Sequence, residues 1–370
     1  MMKTFLHKLA ALASLAALLA GCNKSGSSAR KPEEPITGSK SDPPVVMKAE
    51  WKSGQRYTFH LDFVLNNEMP VGRRGNPNAG PLRQMETTFG QDYSITVTNA
   101  EPDGSRGLQL EIHALSMDIA SGDTYVMNYD SENPGVGLTD SALSDQLQKL
   151  IGARIRYQIS ADNRVRRMEG FPELMDRMGG ASRAGRGQSA PVGMIGRIYS
   201  PQFFRQLVEL TGLPPESVKI GDSWPVKREL TAGGMGTLMM DLTATFRGWQ
   251  KHDNRNCALL EFKGDLTPKP NATNSVTTTT NRTSDVRRLI RAITSPPGNP
   301  MNIENGTITG RSWFDPTLGF TVESTLDQTL TTKGSFRRAQ GTNTVLNLTT
   351  NSTHTAVWIK LLDVAASAAE

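Results

Sequence analysis

The side chains that most often perform metal or acid–base chemistry are few and scattered in this sequence. The histidines are His7, His60, His113, His252 and His354. No two of them share a helical turn, and neither a His-Glu-x-x-His motif nor a paired-cysteine spacing occurs. The sequence therefore predicts no metal site and no cofactor.

Carboxylate and nucleophile chemistry finds equally little support. Asp62, Asp222 and Asp315 could supply a carboxylate pair, but the last two lie in predicted turns, where a carboxylate accepts backbone hydrogen bonds. No Gly-x-Ser-x-Gly motif occurs, and the Ser-x-x-Lys motif at residues 28–31 lies in a stretch with no predicted fold. We therefore predict no catalytic residue and a protein that is not an enzyme.

Cys22 is a reactive side chain in a recognisable context. The segment Leu-Ala-Gly-Cys at residues 19–22 follows Lys3, Lys8 and an apolar run too short to span a bilayer. These four residues resemble the bacterial lipobox, which implies that residues 1–21 are removed as a signal peptide and that Cys22 is acylated. At about 0.8 kcal/mol per buried methylene group, several acyl chains would hold the protein on a membrane. An ordinary signal peptide with a chance cysteine is the alternative.

The residues that follow Cys22 predict a tether and a location. Residues 22–47 are rich in Ser, Gly, Pro and Lys, so we expect a lipidated tether that is disordered. Asn23 stands where Asp commonly retains a lipoprotein in the inner membrane. We therefore expect a cell-envelope protein on the outer membrane that faces the periplasm or the cell surface. The sorting rule varies among bacteria, which leaves the inner membrane open.

The positive charge of the chain does not indicate a nucleic-acid partner. Removal of residues 1–21 takes away two lysines and lowers the formal net charge from +5 to +3. No zinc-finger, helix-turn-helix or RNA-binding motif accompanies this charge. We therefore expect no nucleic acid among the partners.

Residues 48–370 are long enough for a large core, and their pattern is mainly that of antiparallel strands. The predicted strands are 56–65, 93–97, 108–112, 124–128, 235–249, 258–266, 306–314, 320–330 and 343–353. Hairpin turns are predicted at residues 252–254 and 315–319. Cys257 lies in an alternating run and is predicted to be a small core residue.

Two helices are predicted in the middle of the chain. The first begins at Thr139 and ends at Gly152, and the second begins at Ser200-Pro201 and ends at Gly212. Their apolar stripes are Leu143, Leu147, Leu150 and Ile151 in the first helix and Phe203, Phe204, Leu207 and Leu210 in the second. Both stripes predict helices that cover a core.

The predicted fold is mainly β (β-rich α+β), with two related antiparallel, curved β-sheet halves and a helical middle segment. Residues 48–212 form the first half with its helices, and residues 213–370 form the second half. Each half opens with a Trp beside a glycine turn, at residues 51–54 and 221–224. This correspondence suggests a distant duplication.

Four short motifs give the chain a resemblance to a known family. They are Trp-Lys-Ser-Gly-Gln-Arg-Tyr at residues 51–57, Ser-Ala-Asp-Asn-Arg-Val-Arg-Arg-Met-Glu-Gly at 160–170, Val-Lys-Ile-Gly-Asp-Ser-Trp at 218–224 and Gly-Arg-Ser-Trp-Phe-Asp-Pro-Thr-Leu-Gly at 310–319. With these motifs the chain resembles an uncharacterised family of bacterial lipoproteins, a domain of unknown function. The resemblance implies a β-rich periplasmic or surface lipoprotein and supplies no activity. The last hairpin is also similar to those of the curved sheets of lipoprotein-carrier proteins.

A basic amphipathic segment gives the one hint of a partner surface. In residues 285–293, apolar side chains have helical spacing beneath Arg287, Arg288 and Arg291. Such a helix could rest on an anionic lipid surface, with these three arginines in contact with the headgroups. The alternative is the solvated face of a helix that packs against the sheet.

These features predict a membrane-anchored envelope lipoprotein with a non-catalytic binding or scaffold role. One alternative is a carrier of an apolar ligand or lipid, which would need an apolar cavity lined by strands near residues 59–63 or 238–246. Another alternative is an envelope hydrolase, which would need titratable groups clustered in a cleft.

Overall fold

The computed structural model describes residues 34–70, 82–134, 141–177, 199–210, 212–231, 237–268, 301–340 and 343–367. Ile36–Glu370 form one compact unit. This unit contains every described strand and helix and every described core side chain. It has a hydrophobic core of its own, so we expect it to fold without residues 1–35.

Strands dominate the secondary structure. The strands are β1 (Gln55–Pro70), β2 (Leu82–Ala100), β3 (Arg106–Ser121), β4 (Thr124–Asp130), β5 (Arg154–Ile159), β6 (Val165–Glu169), β7 (Ser223–Thr231), β8 (Thr237–His252), β9 (Arg255–Pro268), β10 (Met301–Asp315), β11 (Phe320–Gln340) and β12 (Asn343–Ala366). The helices are α1 (Ser141–Gln148), α2 (Phe171–Arg177) and α3 (Pro201–Val208). The predicted β-rich fold with helices in its middle is confirmed.

The described strands form one twelve-stranded antiparallel sheet that is open and curved. Its order is β6-β5-β3-β2-β1-β12-β11-β10-β9-β8-β7, and β4 pairs with β3 beside this path. Most neighbours in the sheet are consecutive in the chain, as expected for antiparallel strands joined by short turns. The pairing of β1 with β12 joins the strands of the two predicted halves into one sheet. The duplication of the halves stays a prediction.

One face of the sheet, the inner face, carries most of the core. Side chains alternate between the faces of a strand, and Tyr57, Phe59 and Leu61 of β1 lie buried on the inner face. Direct cross-strand pairs continue this face through Leu61, Ile359, Ser324, Ser312, Leu260 and Phe246. The inner face therefore extends from the first half into the second.

The helices cover the inner face of the first half. The helices and the residues next to them add side chains to the buried cluster of β1, β2 and β3, namely Leu147, Leu150, Leu174, Phe204 and Leu207. The Tyr157 hydroxyl of β5 donates a hydrogen bond to the backbone carbonyl of Phe204 at 3.2 Å. Helices this short are marginal alone, so contact with the sheet is what stabilises them.

The helix boundaries are partly as predicted. The Ser200 side chain accepts a hydrogen bond from the backbone N–H of Phe203 at 3.1 Å, which confirms the predicted cap. α3 ends at Val208, before the predicted stop at Gly212, because Glu209 adopts an extended backbone. α2 was not predicted, since its seven residues are too few to show a helical period. The predicted cap at Thr139 lies outside the described residues.

The segment before β1 corrects one prediction. Thr37 and Trp249 exchange two backbone hydrogen bonds of 2.7 and 2.9 Å, and Val45 and Val218 exchange two of 2.8 and 2.9 Å. Met47 is buried in the cluster that contains these neighbours. The prediction that residues 22–47 are disordered throughout is therefore wrong for residues 36–47. Ordering this segment costs conformational entropy, which its polar composition was not expected to offset. The backbone bridges to the sheet and the burial of Met47 offset that cost.

Turn residues adopt the conformations that their types predict. Asn163 has φ 59°, a left-handed value that the short polar side chain tolerates. The Asp315 carboxylate accepts a hydrogen bond from the backbone N–H of Thr317 at 2.8 Å, and Asp222 accepts one in its own turn. Cys257 is buried, and burial raises the pKa of its thiol to about 12, as expected for an inert core residue.

Other predictions fall outside the described residues. They concern the signal peptide at residues 1–21, the acylation of Cys22 and the surface of Arg287, Arg288 and Arg291. These stay predictions. Within the ranges that the structure describes, no helix combines the length and apolar character needed to cross a membrane.

Candidate functional site

A row of charged side chains crosses the outer face of the sheet, opposite the inner face. Glu323 of β11 pairs directly with Lys360 of β12, Lys360 with His60 of β1, and His60 with Asp92 of β2. Directly opposite side chains on one face lie close enough to interact. The row therefore places two basic side chains between two carboxylates, at the point where the first and last strands meet.

The turn between β8 and β9 adds two groups to one end of this row. His252 Nε2 lies 3.0 Å from Glu323 Oε2. Lys360 Nζ lies 2.6 Å from Asp253 Oδ2 and 3.6 Å from Glu323 Oε2. The His252 ring stacks on Trp313, with ring centroids 4.3 Å apart. We call His252, Asp253, Glu323 and Lys360 the turn cluster.

Glu323 and Lys360 of the turn cluster are stabilised in their ionised forms. Burial by itself would raise the pKa of Glu323, but hydrogen bonds from His252 and Trp358 and the charge of Lys360 bring it below its ordinary value. Burial by itself would lower the pKa of Lys360, but Asp253 and Glu323 bring it above its ordinary value. Both charges therefore persist at neutral pH and compensate each other.

Two histidines, on the two strands that flank β2, have opposite surroundings. His60 Nδ1 lies 2.5 Å from Asp92 Oδ1, and its Nε2 lies 3.1 Å from Asp62 Oδ1. Burial by itself would lower the pKa of His60, but these two carboxylates raise it above its ordinary value. Burial and the nearby Arg56 guanidinium lower the pKa of His113. His60 is therefore favoured as a cation and His113 as a neutral ring.

Replacing His60 with Gln is expected to destabilise the protein more at mildly acidic than at alkaline pH. The folded pKa of His60 lies above the unfolded value of about 6.5, so protonated His60 stabilises the fold fully below about pH 6.5. This contribution is lost as the pH rises through the folded pKa. Thermal unfolding of the variant and the parent from acidic to alkaline pH measures the trend.

The matched control for this prediction is His113→Gln, whose trend has the opposite sign. The folded pKa of His113 is lowered, so its stabilising effect is present above about pH 6.5 and is lost as the pH falls through the folded pKa. If His60→Gln lowers the stability by the same amount at every pH, the assigned ion pairs of His60 are contradicted.

The inner face of the second half carries a different kind of surface. Its buried apolar side chains, here called the strand cluster, are Leu238, Met240, Leu242, Leu266, Ile308 and Leu330 of β8 to β11. None of the residues in the three described helices belongs to this cluster, whereas the buried cluster of β1, β2 and β3 includes residues of all three. Apolar strand side chains are the lining that sites for apolar ligands use.

Arg228 of β7 lies beside the strand cluster. It pairs directly with Met240, which places both side chains on the inner face. Burial lowers the pKa of its guanidinium, and the charge of Glu209 opposes this effect. No described residue forms a hydrogen bond or an ion pair with this guanidinium. The surface therefore combines apolar side chains with one cation.

The structure brings together residues that the sequence analysis left apart. The three carboxylates considered as candidates do not assemble: Asp62 contacts His60, whereas Asp222 and Asp315 serve their turns. The contact between His252 and Glu323 was missed, because 71 residues separate them. The available signal was a charged side chain at an outward position of a predicted strand, as at His60 and Glu323, and this signal does not give the pairing of the strands.

Comparisons with known proteins give a family and distant structural matches. The model of a family of unknown function (DUF6263) matches residues 103–321. No curated protein matches the sequence. A lipovitellin structure, titled for its lipid–protein interactions, matches at 10% identity and a TM-score of 0.47, covering 87% of this chain and 26% of its own. An outer membrane channel from Pseudomonas putida matches at 5% identity and a TM-score of 0.15, covering 86% of this chain and 100% of its own.

This chain thus spans about a quarter of the lipovitellin chain that it matches. TM-scores this low support no conclusion on function. The sequence resemblance to a domain of unknown function is confirmed by the family match, whereas lipidation is not tested by it.

Proposed function

We propose a function from the sheet itself, since the chain belongs to a family of unknown function (DUF6263). The proposed function is that of a lipid-anchored envelope protein that binds an apolar ligand without catalysing a reaction. The observation that carries this proposal is the strand cluster on the inner face of the second half. Four adjacent strands contribute its apolar side chains, and no residue of the described helices belongs to it. These side chains are at most 8% exposed, so the cluster has to open before an extended apolar chain can lie along it.

The charge of Arg228 supports an amphiphile with an acidic group as the ligand. Arg228 lies on the inner face beside Met240 and is half-buried. A partly desolvated cation gains from an anion, and a guanidinium binds carboxylate or phosphate with two parallel hydrogen bonds. A fatty acid is the simplest molecule that offers both an acidic group and an apolar chain.

The titratable groups of the outer face support a role without catalysis. The ion pairs of the turn cluster and of His60 satisfy one another. Ser94 Oγ lies 2.8 Å from His113 Nε2, the spacing of a nucleophile and its base. However, Ser94 is only 1% exposed, so its hydroxyl is not accessible to a substrate.

Replacing Met240 with Gln is expected to weaken binding of a dansyl-labelled fatty acid about tenfold. The side chain keeps its length but gains an amide, and burying an unpaired amide beside an acyl chain costs roughly 1–3 kcal/mol. Fluorescence titration of the 36–370 unit measures the affinity, and its melting curve reports whether the variant is folded.

The matched control for this experiment is Thr243→Gln, at an exposed position of the same strand. It should bind the fatty acid as tightly as the parent. Parent protein that does not bind the fatty acid, or a folded Met240→Gln protein that binds it equally well, would remove the strand cluster as the site.

The anchor and a second membrane contact complete the proposal. Acyl chains on Cys22 would hold the protein on the outer membrane, where the sheet faces the periplasm or the cell surface. Arg287, Arg288 and Arg291 would then add contacts with an anionic lipid surface. The signal segment before Cys22 and the basic amphipathic spacing of residues 285–293 support these two parts.

A further inference from the structure

We propose that His252, Asp253 and Glu323 of the turn cluster bind a divalent transition-metal ion of the zinc class. One ligand atom from each of these residues lies within 4.8 Å of the other two. This spacing allows a single ion to contact all three side chains after small rotations. The site is on the outer face and is independent of the apolar ligand proposed above.

The ligand types favour zinc over calcium or magnesium. An imidazole nitrogen with two carboxylate oxygens is a donor set that Zn²⁺ accepts, and three protein ligands leave a position for water. Calcium and magnesium prefer oxygen ligands throughout and a larger number of them. The single His252 among two carboxylates therefore selects a metal of intermediate softness.

Packing positions the ligands before any metal arrives. Asp253 and Asn254 have φ 46° and 63°, so the chain reverses tightly and keeps the Asp253 carboxylate near the His252 ring. The His252 ring stacks on Trp313, and the Glu323 carboxylate accepts a hydrogen bond from Trp358. Ligands held in this way lose little freedom when an ion binds.

Lys360 is the internal competitor for this site. Its ammonium lies 2.6 Å from Asp253 Oδ2 and 3.6 Å from Glu323 Oε2, where it neutralises part of the charge that would attract a metal. A lysine side chain is flexible, and its ammonium can move to water when a divalent ion replaces it. Metal binding is therefore expected to break both Lys360 contacts.

Isothermal titration of the 36–370 unit with Zn²⁺ alone tests the proposal. We expect the parent to bind one ion. His252→Gln or Glu323→Gln should each lose at least tenfold in affinity, because losing even a residue that only hydrogen-bonds to a metal ligand costs about that much. Lys360→Met should bind roughly tenfold more tightly, since the competing charge is gone. His354→Gln, at an exposed histidine 3.9 Å from Asp327, is the control and should bind as the parent does.

A second measurement needs no variant at the site. Zn²⁺ should shift the NMR signals of the His252 ring in the parent protein and leave those of His354 unchanged. Absence of binding by the parent, or binding that both ligand variants retain, would overturn the proposal. A shift of His354 in place of His252 would assign the ion to another site and would also overturn it.

Discussion

Replacing Cys22 with Ala is expected to move the protein from the membrane fraction to the soluble fraction in high salt and to abolish incorporation of labelled palmitate. Cys22 directly follows the signal segment, and its acyl chains would supply the membrane affinity. The apolar run at residues 9–19 is too short for a stable span. Fractionation of cells that express the parent and the variant measures this all-or-none effect.

Salt separates the anchor from the basic surface in the same experiment. At low salt, Arg287, Arg288 and Arg291 should retain part of the Cys22→Ala protein on anionic membranes, at about 1 kcal/mol for each arginine. High salt screens this attraction, and changing the three arginines to Gln should remove it. Palmitate incorporation into Cys22→Ala, or its retention on membranes in high salt, would refute the predicted anchor.

Replacing Trp51 with Ala is expected to destabilise the 36–370 unit by about 3–5 kcal/mol, the range for a buried aromatic side chain. Trp51 is fully buried, and its ring centroid lies 5.1 Å from that of Tyr57 and 4.8 Å from that of Phe320. Its indole N–H has no hydrogen-bond partner among the described residues, so the expected loss comes from packing. The midpoint of urea unfolding measures the change in stability.

Trp51→Phe and Leu362→Ala are the matched controls. Phenylalanine keeps a ring in the same aromatic group and should retain much of the stability. Leu362 is 52% exposed, so its truncation should change the free energy of unfolding by less than about 0.5 kcal/mol. A Trp51→Ala loss as small as that of Leu362→Ala would show that Trp51 does not join β1 to β11 through the core.

The elements that the sequence predicted best are those set by neighbouring residues. β1 follows the alternation of Tyr57, Phe59 and Leu61, and α3 begins at the capping Ser200 as expected. The turn at Asp253 and Asn254 also forms where its residue types predict a hairpin. Local sterics and hydrogen bonds between residues a few positions apart decide these features, so a short stretch of sequence contains the information.

The elements that the sequence predicted poorly depend on distant contacts. The docking of residues 36–47 was missed because it needs Val218 and Trp249, which lie far along the chain. α2 was missed because its seven residues are ordered by the sheet beneath Leu174. Composition reports how much apolar surface a segment has and not which partner covers it.

The sequence by itself determined the β-rich class, the turns, the cap of α3, the burial of Cys257 and the family resemblance. The tertiary structure alone decided that β1 pairs with β12, that the inner face extends over both halves and that His252 meets Glu323. The physical reason is range: alternation assigns each side chain to a face, whereas strand order, register and curvature arise from cross-strand pairing and bulges. The proposed ligand surface and the proposed metal site both depend on those pairings.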